Sequence, residues 1–258
     1  MLKIENAEVF GWEHAIRGMR NPKNSWEKSD SGWDWAPDRD DQSSRIVYTD
    51  IAGSLSFAVG KNDRKLMDQL AKAGTDHRKF MRMITVYIDI TAPLYWWKEF
   101  DTYKVGTVAN SCSTMHKISE KKFTREDFSF EHLLNSHSGP DHDCWIEYGP
   151  EVLEPVDVLD VIIDMLNKAR KLYVEYQEKA KAGDQYAKEH VKDYWWQMIQ
   201  LLPSSYNQKR TVMLNYEVLA NIYKSRRNHK LDEWHTLCDW IETLPYSELI
   251  TGKEESGK

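Results

Sequence analysis

Apolar positions follow the two-residue period of strands in some stretches of the chain and the helical period in others. Alternation over Leu2 to Val9 predicts a first strand, and an amphipathic helix from Trp12 to about Met19 follows it. The segment Met81 to Thr91 alternates and is rich in β-branched residues. It predicts the clearest strand of the chain. Between them, apolar residues share one face over Asn62 to Lys72, which predicts a helix.

Capping and breaking residues set the expected element boundaries. For the helix predicted over Asn62 to Lys72, Asn62 or Asp63 is the predicted N-cap, and Gly74 is the predicted stop. Pro93 is expected to open a helix that runs to about Lys104, because proline is tolerated in a first helical turn. The polar, proline-containing stretch 21–44 predicts a loop. Its tryptophans, Trp26, Trp33 and Trp35, are expected to pack this loop against the rest of the protein, and this role is favoured over a ligand-binding platform.

The C-terminal hundred residues are expected to be mostly helical. The predicted elements are helices over Pro155–Lys181 and Asp184–Leu201, a strand over Gln208–Leu214, and helices over about Tyr216–Arg226 and Leu231–Thr243. Neither an internal repeat nor a linker occurs. The sequence therefore predicts one α+β domain over residues 1–250, with a central antiparallel or mixed sheet flanked by long helices, and a disordered tail over 251–258.

Composition narrows the functional classes. A net charge of −6 argues against extensive nucleic-acid binding, which needs a basic face. The 11 Trp, 13 Tyr and 7 Phe favour a densely packed or oligomeric protein, and the pairs Trp96-Trp97 and Trp195-Trp196 are expected in a core or a subunit interface. Three widely spaced cysteines and the lack of a long apolar run indicate a reduced, soluble, cytoplasmic protein without a membrane anchor.

A loop rich in His, Asp and Gly at 130–150 has the residue types of a metal site. These residues are His132, His137, Asp141, His142, Asp143 and Cys144. Their spacing matches no standard zinc pattern, so a solvated loop is favoured over a metal centre. Walker A, GxGxxG and GxSxG motifs do not occur in the sequence, and the common phosphate-cradle and acyl-transfer routes have no support.

Two polar segments remain as candidates for chemistry. Thr102 to His116 is rich in hydroxyls and amides that can hold phosphate and ribose oxygens, although an ordinary capped loop has the same composition. In the later helix, Asn215 and Arg226 are eleven residues apart and share a face, whereas Asn221 lies to the side. A bound anion would give the polar side chains on this face their hydrogen-bond and charge partner. A salt bridge to one of the 41 acidic residues is the simpler alternative.

The order of four segments resembles the flavin-dependent thymidylate synthases. They are HRKFMRMITVYIDI, APLYWWKEFDTYK, NSCSTMH and LLPSSYNQKRTVMLNYEVLANIYKSR, in chain order. The last is the most specific, because it keeps both the order and the spacing of the family's Leu-Pro, its strand and its Asn-containing helix that ends in Arg. The resemblance spans about Leu2 to Tyr246 at low identity.

The resemblance implies an α+β homotetramer that binds FAD and methylates dUMP, with methylenetetrahydrofolate as carbon source and NADPH as hydride source. It implies that Asn215 and Asn221 contact the flavin and that Asn110 is the signature asparagine of the cofactor site. It further implies that Arg226 binds the nucleotide and that Ser113 orients it.

Several signature positions differ from the family. Thr102-Tyr103-Lys104 stands in place of Arg-His-Arg, Met115-His116 in place of the terminal Arg-Tyr, and Ile199 in place of the arginine before Leu-Pro. Each lost arginine removes charge-assisted bonds worth about 1.5–3 kcal/mol. By this resemblance Lys104 supplies positive charge near the reacting base, and Tyr103 and His116 contact the substrate.

Three functions therefore stay open. The first is an FAD-dependent methyltransferase that acts on C5 of dUMP or of a related pyrimidine nucleotide. The second is a catalytically inactive relative that sequesters or senses a nucleotide. The third is an interaction protein whose tryptophans face a partner.

Overall fold

A computed structural model describes residues 2–35, 45–49, 55–136 and 142–253. Within these ranges the strands are β1 (Lys3–Phe10), β2 (Gly32–Trp35), β3 (Arg45–Thr49), β4 (Leu55–Val59), β5 (Thr85–Pro93), β6 (Val108–Ser111), β7 (Ile146–Tyr148), β8 (Glu151–Leu153) and β9 (Asn207–Asn215). The α-helices are α1 (Trp12–Arg20), α2 (Lys61–Lys72), α3 (Leu94–Phe100), α4 (Thr114–Lys117), α5 (Pro155–Lys181), α6 (Gln185–Leu201), α7 (Tyr216–Arg226), α8 (Asp232–Ile241) and α9 (Glu248–Thr251). The predicted α+β class is confirmed.

Contacts divide the chain into two compact units. The sheet unit comprises Leu2–Ile90, Phe100–Asn110 and Arg210–Lys258, and the helical unit comprises Thr91–Glu99 and Ser111–Lys209. The strands of the largest sheet, in the order β1-β5-β9-β6, lie mostly in the sheet unit, which also holds the antiparallel sheet β2-β4-β3. The single domain over 1–250 stays a prediction. Thr251, which the sequence interpretation assigns to the tail, closes α9, and residues 254–258 lie outside the described residues.

Strand β5 shows the predicted alternation. Val86, Ile88 and Ile90 are buried, whereas Tyr87 is exposed and Asp89 is half-buried. The Asp89 carboxylate accepts hydrogen bonds from Asn6 Nδ2 at 2.9 Å and from Thr211 Oγ1 at 2.6 Å. A strand with one apolar face and one polar face has its register fixed, because a slip of one residue would expose the whole apolar set.

The helical unit is built on the α5–α6 hairpin. Pro155 occupies the first turn of α5, and Asp184 caps α6 by accepting from Ala187 N at 3.0 Å. Gly183 between the two helices has φ +101°, a conformation that favours glycine. The helices enclose a core cluster of apolar side chains, namely Ile118, Phe123, Phe128, Leu159, Ile163, Leu166, Ala169 and Met198. The long helices predicted from the sequence are confirmed.

The loop predicted over residues 21–44 is wrong in part, because Gly32–Trp35 forms β2 and pairs with β4. Strand pairing satisfies backbone groups whatever the polarity of the side chains, and composition alone missed it. Trp33 packs on Phe57 with ring centroids 5.4 Å apart, and Trp26 Nε1 donates to Asn21 Oδ1 at 2.8 Å. Both indoles stay about half exposed, so they attach this segment to the rest of the protein through only part of their surface.

The expected N-cap of α2 is also wrong. Gly60 is the N-cap, and Asp30 from the preceding segment accepts from the backbone N–H groups of Asn62 and Asp63 at 2.8 and 3.0 Å. Asp63 is instead fully buried and binds Arg20. Gly74, with φ +100°, follows the C-cap as predicted.

Pro93 ends β5 instead of opening α3, which begins at Leu94 and is complete at Phe100. The predicted core position of the first tryptophan pair is confirmed, since Trp96 and Trp97 are fully buried. Among the described residues, no helix is both long enough and apolar enough to cross a membrane.

Candidate functional site

Helix α7 places two of the predicted residues at its opposite ends. Asn215 is the N-cap, and its Oδ1 accepts from Val218 N at 3.0 Å. Gly106 packs directly against this cap: a Cβ at Gly106 would lie 3.0 Å from Asn215 Nδ2 and 3.1 Å from Val218 Cγ2, and its φ is +80°. Asn215 is therefore, in the first place, the N-cap that stabilises the start of α7.

Arg226 closes α7 inside a group of aromatic rings. Its Nε donates to Tyr103 Oη at 2.9 Å, and its guanidinium carbon lies 4.7 Å from the Trp234 ring centroid and 5.7 Å from that of Tyr103. Trp234 is fully buried on α8 and is stacked with Phe100. A guanidinium held over an aromatic face is ordered before any ligand arrives. The structure thus brings Tyr103 and Arg226 together.

Asn221 lines a cation-rich cavity of about 640 Å³ formed by α2, α7 and α9, named here the basic cavity. Its charged lining consists of Arg64, Asp68, Lys72, Arg78, Lys224, Arg227, Glu248 and Lys253. Six of these eight side chains are cationic. The volume falls within the usual range for small-molecule sites, about 300–1,000 Å³.

Ion pairs hold part of this cationic lining in place. Arg78 pairs with the buried Glu217 at 2.8 Å, and Arg64 pairs with Glu248 at 3.1 Å. Among the described residues, Lys72 and Lys224 make no ion pair. Two lysines of this kind leave the cavity positively charged and suited to a phosphate-bearing ligand.

The other predicted residues are placed as follows. Lys104 lies in the exposed turn after α3, and Asn110 is exposed on β6. Ser113 caps α4 by accepting from His116 N at 3.1 Å. Ser113 and His116 are thus adjacent within the helical unit, whereas Tyr103, Lys104, Asn110, Asn215, Asn221 and Arg226 belong to the sheet unit.

The His-rich loop is described only in part, because His137 and Asp141 lie outside the described residues. Within the described ranges, no group of three or more His, Cys, Asp or Glu side chains converges. His142 Nδ1 accepts from Cys144 N at 3.1 Å, and its Nε2 lies 4.0 Å from Glu154 Oε1. The interpretation as a solvated loop stays a prediction.

All three cysteines are free, and their environments differ. Cys112 and Cys144 are exposed, whereas Cys238 is buried on α8. Burial raises the pKa of Cys238 to about 11. The Cys238 thiol is therefore not a nucleophile at neutral pH.

Sequence reasoning missed the residues that fix Arg226 and those that charge the basic cavity. Trp234 and Phe100 lie on other helices at no regular spacing from Arg226, so periodicity cannot associate them. Lys72 is an ordinary surface lysine by pattern. The sequence did contain one signal for this arrangement, namely an arginine at a helix end with several aromatic residues nearby in the sequence.

The fold is that of solved flavin-dependent thymidylate synthases. The chain superposes on thymidylate synthase X (ThyX) from Helicobacter pylori, crystallised with FAD and dUMP, with a TM-score of 0.55 at 15% identity, over 97% of each chain. A second structure of that protein with FAD and dUMP gives a TM-score of 0.54 at 16% identity, over 96% of this chain and 97% of the other. No protein-family model matches the sequence, and no curated protein matches it.

Proposed function

We propose that this protein binds FAD and a pyrimidine nucleotide and methylates C5 of dUMP or of a related nucleotide. Methylenetetrahydrofolate and NADPH would be the co-substrates, and the protein would work as a cytoplasmic homotetramer. The observation that carries the proposal is the basic cavity beside Asn221, in a fold whose solved representatives were crystallised with FAD and dUMP.

The lining of the basic cavity fits the flavin cofactor. FAD carries a pyrophosphate, and Lys72 and Lys224 are cations that make no ion pair among the described residues. Asn221 contributes an amide that can donate and accept hydrogen bonds. Asn215 is proposed as a second flavin contact, through its Nδ2, because its Oδ1 is engaged in the helix cap.

FAD, when bound and reduced by NADPH, would supply the hydride that reduces the transferred carbon. In this proposal, Arg226 binds the nucleotide with a guanidinium that Tyr103 and Trp234 already orient. Lys104 places a positive charge near the pyrimidine ring, whose carbonyl oxygen becomes enolate-like during the reaction. Ser113, Asn110 and His116 keep the roles that the resemblance implies for them.

The visible absorption spectrum of the purified protein tests the cofactor, with identification of any flavin that heating releases. Lys224→Glu should weaken FAD binding at least tenfold, because it inverts a charge in the basic cavity. Lys230→Glu is the matched control, since this exposed lysine lies outside the cavity. Protein that binds no FAD even when FAD is added would contradict the proposal.

Complementation of a thymidine auxotroph tests catalysis on dUMP, with Arg226→Gln as the inactive comparison and Arg125→Gln as its control. Arg125 pairs with the exposed Asp160 and lies outside the basic cavity. Growth that survives Arg226→Gln would remove Arg226 from the mechanism. Well-expressed protein that fails to complement would exclude dUMP as the substrate.

The alternative is an inactive relative that binds a nucleotide and sequesters or senses it. The observation in its favour is the Arg226–Tyr103 hydrogen bond, which uses the Nε–H donor of the arginine within the protein. This alternative predicts tight nucleotide binding without turnover when FAD, NADPH and methylenetetrahydrofolate are supplied. Turnover of any pyrimidine nucleotide by the flavin-loaded protein would exclude it.

A further inference from the structure

One carboxylate, that of Glu242 at the end of α8, lies directly behind a wall of the basic cavity. Its Oε1 accepts from Tyr223 Oη at 2.6 Å and from Lys253 Nζ at 2.7 Å, and lies 3.6 Å from Arg227 Nη2. Tyr223, Arg227 and Lys253 all line the cavity, whereas Glu242 is outside its described lining. Any influence of Glu242 on a ligand in the cavity is therefore exerted through these partners or through its charge.

Carboxylates neutralise the two cations of this wall. Lys253 pairs with Glu242, and Arg227 pairs with both Glu242 and Asp239. Opposite charges this close largely cancel each other at the distance of a ligand. The positive field of the cavity therefore comes mainly from Lys72 on α2 and from the lysine of α7 that makes no ion pair among the described residues.

Glu242 is ionised at neutral pH although its position in the helix does not favour a negative charge. It is the C-cap of α8, where the helix dipole repels an anion. Hydrogen bonds from Lys253 and Tyr223 nevertheless outweigh partial burial and hold the pKa of Glu242 below its usual value. Its negative charge is thus part of the electrostatics of the basic cavity.

The contact between Glu242 and Lys253 is easily opened. The Lys253 side chain is 56% exposed and that of Glu242 is 32% exposed. Water screens an ion pair of this kind, so the pair contributes little to folding stability. The bond from Tyr223 is better protected, because Tyr223 is buried on α7. Lys253 can therefore leave Glu242 while Tyr223 keeps the carboxylate behind the wall.

We propose that Glu242 limits the affinity of the basic cavity for phosphate-bearing ligands, because it competes with the ligand for Lys253 and Arg227. A bound pyrophosphate draws Lys253 from Glu242 and is repelled by the carboxylate that Tyr223 retains. Glu242 is a positioning residue, since it acts through two cations of the wall. The inference rests on the proposed function only in placing a phosphate-bearing ligand in this cavity.

Isothermal titration calorimetry with inorganic pyrophosphate tests the proposal. Glu242→Gln should strengthen pyrophosphate binding about three- to tenfold at low ionic strength, because it removes a negative charge while its amide oxygen still accepts from Tyr223. Glu175→Gln is the matched control. Glu175 pairs with Lys179 at the same 2.7 Å on α5, outside the cavity, and the variant should change affinity less than twofold.

Lys253→Gln completes a double-mutant cycle. Alone it should weaken pyrophosphate binding at least threefold, because it removes a cation and leaves Glu242 without that partner. Combined with Glu242→Gln it should restore nearly the parent affinity, since both charges of the pair are then absent. Lys253 is exposed, so this variant also keeps the proposal testable if Glu242→Gln fails to fold.

Salt dependence separates a charge effect from a structural one. The gain in Glu242→Gln should disappear as the salt concentration rises from about 0.01 M to about 1 M, because the Debye length falls from about 30 Å to about 3 Å. Parent-like or weaker binding by folded Glu242→Gln would overturn the proposal. So would a gain that persists at high salt, unchanged affinity in Lys253→Gln, or no pyrophosphate binding by the parent and Glu242→Gln at millimolar concentration.

FAD titration of the same variants, followed by flavin absorbance, separates this proposal from the proposed function. Pyrophosphate affinities that follow the expected order in protein that binds no FAD support the role of Glu242 and contradict the proposed cofactor. Tight FAD binding that neither Glu242→Gln nor Lys253→Gln alters, with pyrophosphate affinity equally unchanged, supports the cofactor and contradicts the role of Glu242.

Discussion

Replacement of Asp63 by Asn should destabilise the sheet unit severely. The Asp63 side chain is fully buried on α2, and its carboxylate accepts from Arg20 Nε at 2.5 Å and from the hydroxyls of Ser29 and Ser31 at 2.7 Å each. The backbone N–H groups of Asp30 and Ser31 add two longer bonds at 3.1 Å. One carboxylate thus connects α1, α2 and the segment that leads into β2.

The magnitude follows from what Asp63→Asn would leave behind. An amide keeps the volume of the carboxylate, but its NH₂ group would face donors, and Arg20 would lose its counter-charge while only 5% of its side chain is exposed. Removal of one partner from a buried ion pair costs about 3–5 kcal/mol. Asp239→Asn should cost less than about 1 kcal/mol, because the Arg227–Asp239 pair is exposed.

Thermal and urea unfolding of Asp63→Asn and Asp239→Asn measure the contrast. For a chain of this size, about 2–4 °C per kcal/mol predicts a melting temperature lower by about 6–20 °C for Asp63→Asn. The double variant Arg20→Met/Asp63→Leu should recover part of the loss, since it removes both charges. A loss under about 1 kcal/mol for Asp63→Asn would refute the reasoning, because the carboxylate would then be dispensable.

The same residue predicts acid sensitivity. Burial raises the pKa of Asp63, but the hydrogen bonds from Ser29, Ser31 and Arg20 outweigh burial, and the pKa lies below its usual value. A carboxylate with a lowered folded-state pKa stabilises fully above its unfolded-state pKa, about 3.9, and this stability is lost as the pH falls through the folded-state pKa.

Four further outcomes are expected. Urea unfolding from pH 6 to 2 should show a flatter acid limb for Asp63→Asn than for the parent, and parallel limbs would contradict the assignment. Gly106→Ala should cost about 1 kcal/mol more than Gly149→Ala in the same assay, because both have positive φ but only Gly106 meets neighbouring atoms. Asn215→Ala should lower the free energy of unfolding by about 1 kcal/mol through loss of the helix cap, and Asn215→Ser should lower it hardly at all. In an FAD titration, both variants should bind FAD more weakly than the parent if the amide contacts flavin. Thiol titration should give two fast thiols in native protein and a third, Cys238, only on unfolding.

Elements with strong local patterns were predictable from sequence, and pairing between distant segments was not. The span of α7 agrees with the prediction, because its apolar face, its Asn cap and its final arginine are all local signals. Strand β2 was missed because its partner β4 begins twenty residues beyond its end. The cap of α2 was misassigned because Asp30, a residue from another segment, supplies it.

The candidate site shows the same division. Spacing placed Asn215 and Arg226 on one helix, and the resemblance put Tyr103 near the signature segment. The sequence did not reveal that Tyr103 would hold Arg226, because that bond joins residues 123 positions apart. The charge of the basic cavity was equally hidden, since the cations of α2 and α7 meet Arg78, Arg227 and Lys253 only in the folded chain.

For the proposed function, the environment of Arg226 bears on how a nucleotide could bind without the arginines that the resemblance leads us to expect at Met115 and Ile199. An arginine on a flexible stem loses rotamer freedom when it binds, a cost of up to about 2 kcal/mol. Stacking on Trp234 and the bond to Tyr103 order this side chain in advance, so that cost is met during folding. By the resemblance, Tyr103 stands at the histidine of Arg-His-Arg, and in this structure it positions Arg226. Under the proposed function, one ordered arginine would compensate for part of the affinity that the two arginines expected at Met115 and Ile199 would have supplied, and this would apply equally to an enzyme and to a nucleotide-binding relative.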